Sequence, residues 1–202
     1  MHETFMRRAI SLAECGRGHT APNPLVGAVL VRDGKIIGEG FHAFYGGLHA
    51  ERAALEDCLQ RGLSPAGASL YVTLEPCCHT GKQPPCTEAI LAAGIRAVFV
   101  GSSDPNPLVA GKGIAALRQG GVAVTEHVSE SACDALNAPF FSPHQNRPPL
   151  CPSEICDDTR RQNRLCLRRL PLDYRRGRAG GGSPDPRCGR RRDGRHQYRA
   201  AR

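Results

Sequence analysis

Four side chains in two short segments of the sequence could bind a metal ion and transfer a proton. His49 and Glu51 form a His-x-Glu motif, and Cys77 and Cys86 lie in a segment that begins 25 residues after Glu51. One imidazole and two thiols are typical of a catalytic zinc site, which leaves its fourth position for water. Zinc lowers the pKa of bound water to about 7. The sequence therefore predicts one zinc ion per chain on His49, Cys77 and Cys86, with Glu51 as the catalytic acid–base.

The spacing of the two cysteines departs from the common zinc-deaminase pattern, in which H-x-E is followed by P-C-x-x-C. Here eight residues separate the thiols, so the second thiol returns from a longer loop. That loop carries His79, Lys82 and a Pro-Pro pair, and its polar groups could hold a substrate. A structural zinc site would need a fourth protein ligand, which Cys78 or His79 could supply. Glu51 would then have no role, and we interpret Cys78 as a non-ligand.

Three segments resemble one family, the deaminase domain of the bifunctional riboflavin-biosynthesis deaminase/reductases. Residues 76–86 contain its expanded P-C-C-H-x-G-x-x-P-P-C element in full, and residues 21–27 and 103–107 are also similar to it. The resemblance extends from about residue 1 to 148. It implies a cytidine deaminase-like fold and zinc-dependent deamination of 2,5-diamino-6-(5-phosphoribosylamino)pyrimidin-4(3H)-one. The partner would then be a small phosphoribosylated pyrimidine.

The resemblance also implies a set of substrate-binding residues: Asn23, His42, His79, Lys82, Asp104 and Asn106. Simpler interpretations stay open for most of them. Asn23 could be a turn residue between two prolines, and His42 could be exposed. Lys82 could be a solvated loop lysine, and an Asx-turn would explain Asp104 and Asn106. Glu75, next to Pro76, is interpreted as a structural hydrogen-bonding residue.

The apolar patterns predict helices and strands that would bring the two segments together. Asp33-Gly34 between two apolar runs predicts a β-hairpin. Strands are predicted over residues 26–32, 35–41, 69–73, 97–101 and 122–126, and helices over 1–15, 49–62, 87–93 and 113–119. This order predicts an α/β three-layer sandwich with a mixed sheet of about five strands. Both halves of the motif fall at strand–helix junctions, where sites in such sheets form.

The charge of the chain is divided unevenly between two parts. The net charge is +8, but residues 1–149 carry about −1 and residues 150–202 carry about +9. The first part therefore has no basic footprint for nucleic acid. The sequence has no apolar run long enough for a membrane span, and its first residues lack the apolar core of a secretory signal. We expect a cytoplasmic protein without a membrane partner, and the family resemblance allows a homodimer.

The last part of the sequence has an unusual composition. We divide the chain into a deaminase-like domain at residues 1–148 and an Arg-rich tail at residues 149–202. Residues 150–202 contain 15 arginines, no lysine and no valine, phenylalanine, methionine or tryptophan. Such a composition cannot bury a core and predicts disorder. Permitted codons for residues 151–177, read one nucleotide out of frame, encode a string similar to the start of the family's reductase domain. A frameshift would remove the reductase, so neither its activity nor NADPH is expected.

Two other functions are compatible with the motif. A nucleoside or tRNA base deaminase could use the same zinc site, although a tRNA enzyme is expected to have a basic folded surface and C-x-x-C spacing. A non-enzymatic zinc module could instead bind RNA through the arginine-rich tail. In that case Glu51 would be dispensable, and binding would weaken steeply with salt.

Overall fold

A computed structural model describes residues 1–79, 84–104 and 110–141. Within them, helices and strands follow one another as α1 His2–Ala13, a 3-10 turn Glu14–Gly16, β1 Gly27–Arg32, β2 Lys35–Phe41, α2 Ala50–Gln60, β3 Ser69–Leu74, α3 Cys86–Ala92, β4 Ala97–Ser102, α4 Lys112–Gln119, β5 Ala123–Thr125, α5 Glu130–Leu136 and α6 Ala138–Phe141. The predicted tail and its boundary at 148/149 lie outside the described residues. In the described part, no helix combines the length and the apolar character that a membrane crossing requires.

The strands form one mixed sheet of five, in the order β2-β1-β3-β4-β5. β1 runs antiparallel to both β2 and β3, whereas β3, β4 and β5 are parallel. The predicted hairpin is confirmed: Asp33 and Gly34 have φ angles of 51° and 72°. Two successive positive φ angles fit the twist of a tight two-residue hairpin.

Alternate residues of the central strands face two separate cores. Leu30 of β1 and Val72 of β3 belong to a cluster with side chains of α2, α3 and α4. Val29 of β1 and Tyr71 of β3 belong to a second cluster with side chains of α1 and α5. Since successive strand side chains point to opposite faces, the sheet is covered by helices on both sides. The predicted α/β three-layer sandwich with about five strands is confirmed.

Helix α2 lies very close to strand β2 because that strand presents two glycines to it. A Cβ atom added at Gly40 would overlap the carbonyl oxygen of Ala50 and the amide nitrogen of Ala54, and one at Gly38 would overlap the Ala54 carbonyl oxygen. Only glycine allows backbone to approach backbone so closely. This contact fixes the position of the first turn of α2, and with it the residues at that end of the helix.

The predicted helices and strands are found within about two residues of their expected ends, but α5 and α6 were not predicted. Only Cys133 and Leu136 of α5 are buried. A helix of seven residues is too short a window for a helical period to be recognised. Ser129, which precedes α5, has a φ of 58° and makes no side-chain capping bond.

Replacing Gly40 by alanine should destabilise the fold. The new methyl group would overlap the backbone of α2, and overpacking of this kind costs about 1–3 kcal/mol of unfolding free energy. Urea unfolding of G40A measures the loss, with K35A as the control because Lys35 is exposed on the same strand. A G40A value within about 0.5 kcal/mol of wild type, the range of ordinary surface changes, would contradict the close contact.

Candidate metal and catalytic centre

Three potential metal ligands meet where strand β3 and helices α2 and α3 end or begin. One ligand atom from each of His49, Cys77 and Cys86 lies within 4.8 Å of the others. His49 Nδ1 is 3.5 Å from Cys77 Sγ and 3.3 Å from Cys86 Sγ. His49 is the N-cap of α2, one residue before the helix begins, and Cys86 is the first residue of α3. Thr87 N–H also donates to the Cys77 carbonyl at 3.2 Å, which joins the two cysteine segments.

The donor set has the chemistry and the spacing that zinc requires. Tetrahedral zinc with bond lengths of about 2.0 Å to nitrogen and 2.3 Å to sulfur separates its ligand atoms by roughly 3.5 Å. Hydrogen bonds from the Cys86 thiol and from His49 lower the pKa of Cys77 to about 4. The pKa of Cys86 is raised because its thiol donates to Cys77. One thiolate is thus already favoured, and a divalent cation can displace the protons that these groups share.

The carboxyl group of Glu51 is buried beside the three potential ligands. Glu51 lies in the first turn of α2 and is only 4% exposed. Burial raises the pKa of its carboxyl group, because an apolar environment disfavours the charged form. A buried carboxyl group with a raised pKa holds a proton more readily than a solvated one, and this suits acid–base chemistry.

A cavity of about 320 Å³ opens onto this cluster. It is lined by Glu51, His49, Cys77 and four of the six residues predicted to bind substrate: Asn23, His42, His79 and Asp104. The other two, Lys82 and Asn106, lie outside the described residues. Tyr45 and the adjacent Gly46 and Gly47 also line the cavity. Tyr45 was not predicted to line the site, although the Gly-Gly pair beside it indicates a turn at this position.

His42 and Asn23 form a hydrogen-bonded pair whose orientation can be deduced. His42 is 3% exposed, so the alternative of an exposed histidine is wrong. Its Nδ1 lies 2.9 Å from the Leu48 carbonyl oxygen, which can only accept. Nδ1 therefore carries the proton, and Nε2 accepts from the Asn23 side-chain amide at 3.0 Å. Burial lowers the pKa of His42 and favours this neutral form. Asn23 can thus offer its amide oxygen to a ligand.

The carboxylate of Glu75 holds together the segments that surround residues 105–109. It accepts hydrogen bonds from the backbone N–H groups of Gly111, Gly113 and Ile114 at 3.0 to 3.3 Å, and from that of Asp104 at 3.4 Å. A carboxylate at the start of α4 satisfies donors that have no partner within the helix. The prediction of a structural role for Glu75 is confirmed.

Asn137 supports the Asn23 segment from the opposite end of the described chain. Its side-chain oxygen accepts from Leu25 N–H at 2.8 Å, and its side-chain nitrogen donates to the Leu25 carbonyl at 2.9 Å. Both bonds are buried. Asn137 was not predicted from the sequence, because a single asparagine after a short helix gives no indication of a partner 112 residues away.

Comparison with known proteins places this cluster in a family. The family model described as the cytidine and deoxycytidylate deaminase zinc-binding region matches residues 1–102, which include the first ligand segment and both cysteines. The chain belongs to this deaminase family. The resemblance found in the sequence is thereby confirmed at the level of the family, and the His49–Cys77–Cys86 cluster lies within the matched zinc-binding region.

Similar proteins point to one branch of the family. The riboflavin biosynthesis protein RibD of Actinobacillus pleuropneumoniae is 54% identical over 145 residues, 72% of this chain and 38% of that protein. The chloroplastic riboflavin biosynthesis protein PYRD of Zea mays is 49% identical over 137 residues, 68% of this chain and 34% of that protein. The crystal structure of a diaminohydroxyphosphoribosylaminopyrimidine deaminase/5-amino-6-(5-phosphoribosylamino)uracil reductase from Thermotoga maritima is 51% identical with a TM-score of 0.67, and 70% of this chain matches 40% of it. The chain therefore spans less than half the length of these relatives.

Replacing Glu75 by glutamine should destabilise the deaminase domain without removing its metal ligands. The substituted amide would present N–H groups to backbone donors, and hydrogen bonds to charged groups contribute about 1.5–3 kcal/mol each. We expect E75Q to lose at least about 2 kcal/mol of unfolding free energy, measured by urea titration. E88Q is the control, since Glu88 is exposed on α3. Equal stability of the two variants would refute the structural role.

Proposed function

We propose that this chain is a zinc-dependent hydrolase that deaminates 2,5-diamino-6-(5-phosphoribosylamino)pyrimidin-4(3H)-one to 5-amino-6-(5-phosphoribosylamino)uracil. The main support is the combination of the deaminase ligand set with the expanded eight-residue spacing between Cys77 and Cys86. The same assignment is supported by the similarity to RibD proteins and by the name of the Thermotoga maritima relative. The reaction adds the oxygen of water to the ring carbon and releases the exocyclic amine as ammonia.

In this proposal His49, Cys77 and Cys86 hold one zinc ion, which activates water for attack at neutral pH when it is bound. Glu51 takes a proton from the water and delivers it to the departing amine, so its carboxyl group returns to its initial protonation state. Its burial supports this role, because a raised pKa makes the carboxylate a stronger base toward the proton of the water.

The remaining cavity residues would orient the substrate. The amide oxygen of Asn23, held by the bond to His42, would accept from a ring N–H or amine of the pyrimidine. Asp104 and the predicted contact Asn106 would bind on the side of the loop that follows β4. His79 is exposed at the cavity, where the ribose phosphate would leave the site, and Lys82 is proposed to bind the same part of the substrate.

The near-neutral charge of residues 1–149 and the expanded cysteine spacing favour a small-molecule substrate over tRNA. We expect no nucleic-acid partner, no membrane partner and a cytoplasmic location, and we propose a homodimer as the assembly. The frameshift in the tail remains a prediction.

Ammonia release from the diaminopyrimidine ribotide tests this function. With zinc-loaded full-length chain, we expect wild type to release ammonia and E51Q to be slower by about 10²–10⁴-fold, the usual contribution of an acid–base group. The control E88Q should match wild type, because Glu88 is exposed on α3. Zinc content measured on the same samples should be equal. Full activity of E51Q would refute the mechanism, and a wild type that binds zinc but releases no ammonia would refute the substrate.

Replacing Asn23 by alanine should weaken substrate recognition and leave the metal site unchanged. The variant loses the proposed bond to the pyrimidine and also removes the hydrogen-bond partner of His42. We expect kcat/KM to fall at least tenfold, because buried polar groups without partners are costly. Q60A removes an exposed amide from α2 and serves as the control. Unchanged steady-state kinetics of N23A would exclude Asn23 from the substrate site.

A further inference from the structure

Arg52 connects the two segments that carry the potential zinc ligands. It lies in the first turn of α2, next to Glu51 and three residues after His49. One terminal nitrogen of its guanidinium donates to the Pro85 carbonyl oxygen at 3.1 Å. Pro85 is the N-cap of α3 and directly precedes Cys86. A single hydrogen bond thus joins the helix that follows His49 to the residue before Cys86.

The residues that precede Cys86 offer few backbone groups for hydrogen bonds. Pro84 and Pro85 have no backbone N–H, so the backbone of these two residues can form hydrogen bonds only through its carbonyl oxygens. Cys86 N–H already donates to Cys77 Sγ at 3.4 Å. An external donor to the Pro85 carbonyl is therefore one of the few polar contacts that can fix where α3 begins.

The rest of the Arg52 side chain supports a positional role. Its Nε–H group is buried and has no hydrogen-bond partner among the described residues. Burying such a donor without a partner costs free energy, and nothing in the described salt bridges offsets it. Among the described residues, the hydrogen bond to the Pro85 carbonyl is the polar contact that offsets this cost.

We propose that Arg52 is a positioning residue for the zinc site, which sets the distance between His49 and Cys86 through the Pro85 carbonyl. Groups that orient metal ligands from outside the coordination sphere change metal affinity when they are removed. The inference rests on the proposed zinc site but not on the substrate. Arg52 itself neither binds the metal nor lines the cavity.

Zinc affinity of the full chain, measured by competition with a chromogenic chelator, tests this role. R52M keeps most of the apolar stem but removes the donor, and we expect zinc to bind at least tenfold more weakly. R52K keeps a donor on a long stem that can serve the Pro85 carbonyl, so its affinity should stay within about threefold of wild type. R61M is the matched control at the C-terminal end of α2, where it removes the partly exposed ion pair between Arg61 and Asp57.

Equal zinc affinity of R52M and wild type would overturn the proposal, as would an equal loss in R61M, which would indicate general destabilisation. Should R52M fail to fold, R52Q replaces it: its shorter side chain does not reach Pro85, and the same tenfold loss is expected. Wild-type affinity in R52Q would overturn the role. A wild type that binds zinc without releasing ammonia would refute the proposed substrate while leaving this test intact.

Discussion

Two sulfur atoms and one ring nitrogen within 4.8 Å of one another are the constraint around which this fold is arranged. They come from positions up to 37 residues apart in the sequence. Metal ligands can converge only if the backbone that carries them is held rigidly. Strand β3 delivers Cys77, while α2 and α3 begin at His49 and Cys86 on the same side of the sheet. The glycines of β2 complete the arrangement, because they let α2 approach closely enough to place His49 and Glu51.

Around this centre, buried polar groups perform the positioning that apolar contacts cannot. Glu75 fixes the start of α4, Asn137 fixes Leu25 near the Asn23 segment, and His42 orients the Asn23 amide. Each of these groups would be costly to bury without partners, so their satisfied bonds select one arrangement of the loops. The chemistry proposed at Glu51 thus depends on residues that would take no direct part in it. This explains why most of the cavity wall consists of loop residues supported from behind by side-chain hydrogen bonds.

In the proposed reaction, the main task of the protein is to position the metal, the proton-transferring carboxyl group and the substrate. The ligand set determines which metal binds, and the buried carboxyl group determines where a proton can be held. Substrate choice would then depend on the residues that line the cavity. The amide oxygen of Asn23 would contact the pyrimidine ring, whereas the exposed His79 would lie near the phosphate. The division between a buried reacting end and an open end fits a substrate that is a planar ring joined to a charged sugar phosphate.

The sequence by itself identified the three potential metal ligands that the structure brings together, the hairpin at Asp33-Gly34 and the layered α/β architecture, because these depend on local spacing, turn chemistry and period. Glu75 was also assigned correctly, although its partners on α4 could not be named. Only the tertiary structure showed the contacts of Asn137 and Arg52, and the existence of α5. These depend on pairings between segments 33 to 112 residues apart. A single polar residue carries no local pattern, so its partner is decided by how the helices pack on the sheet.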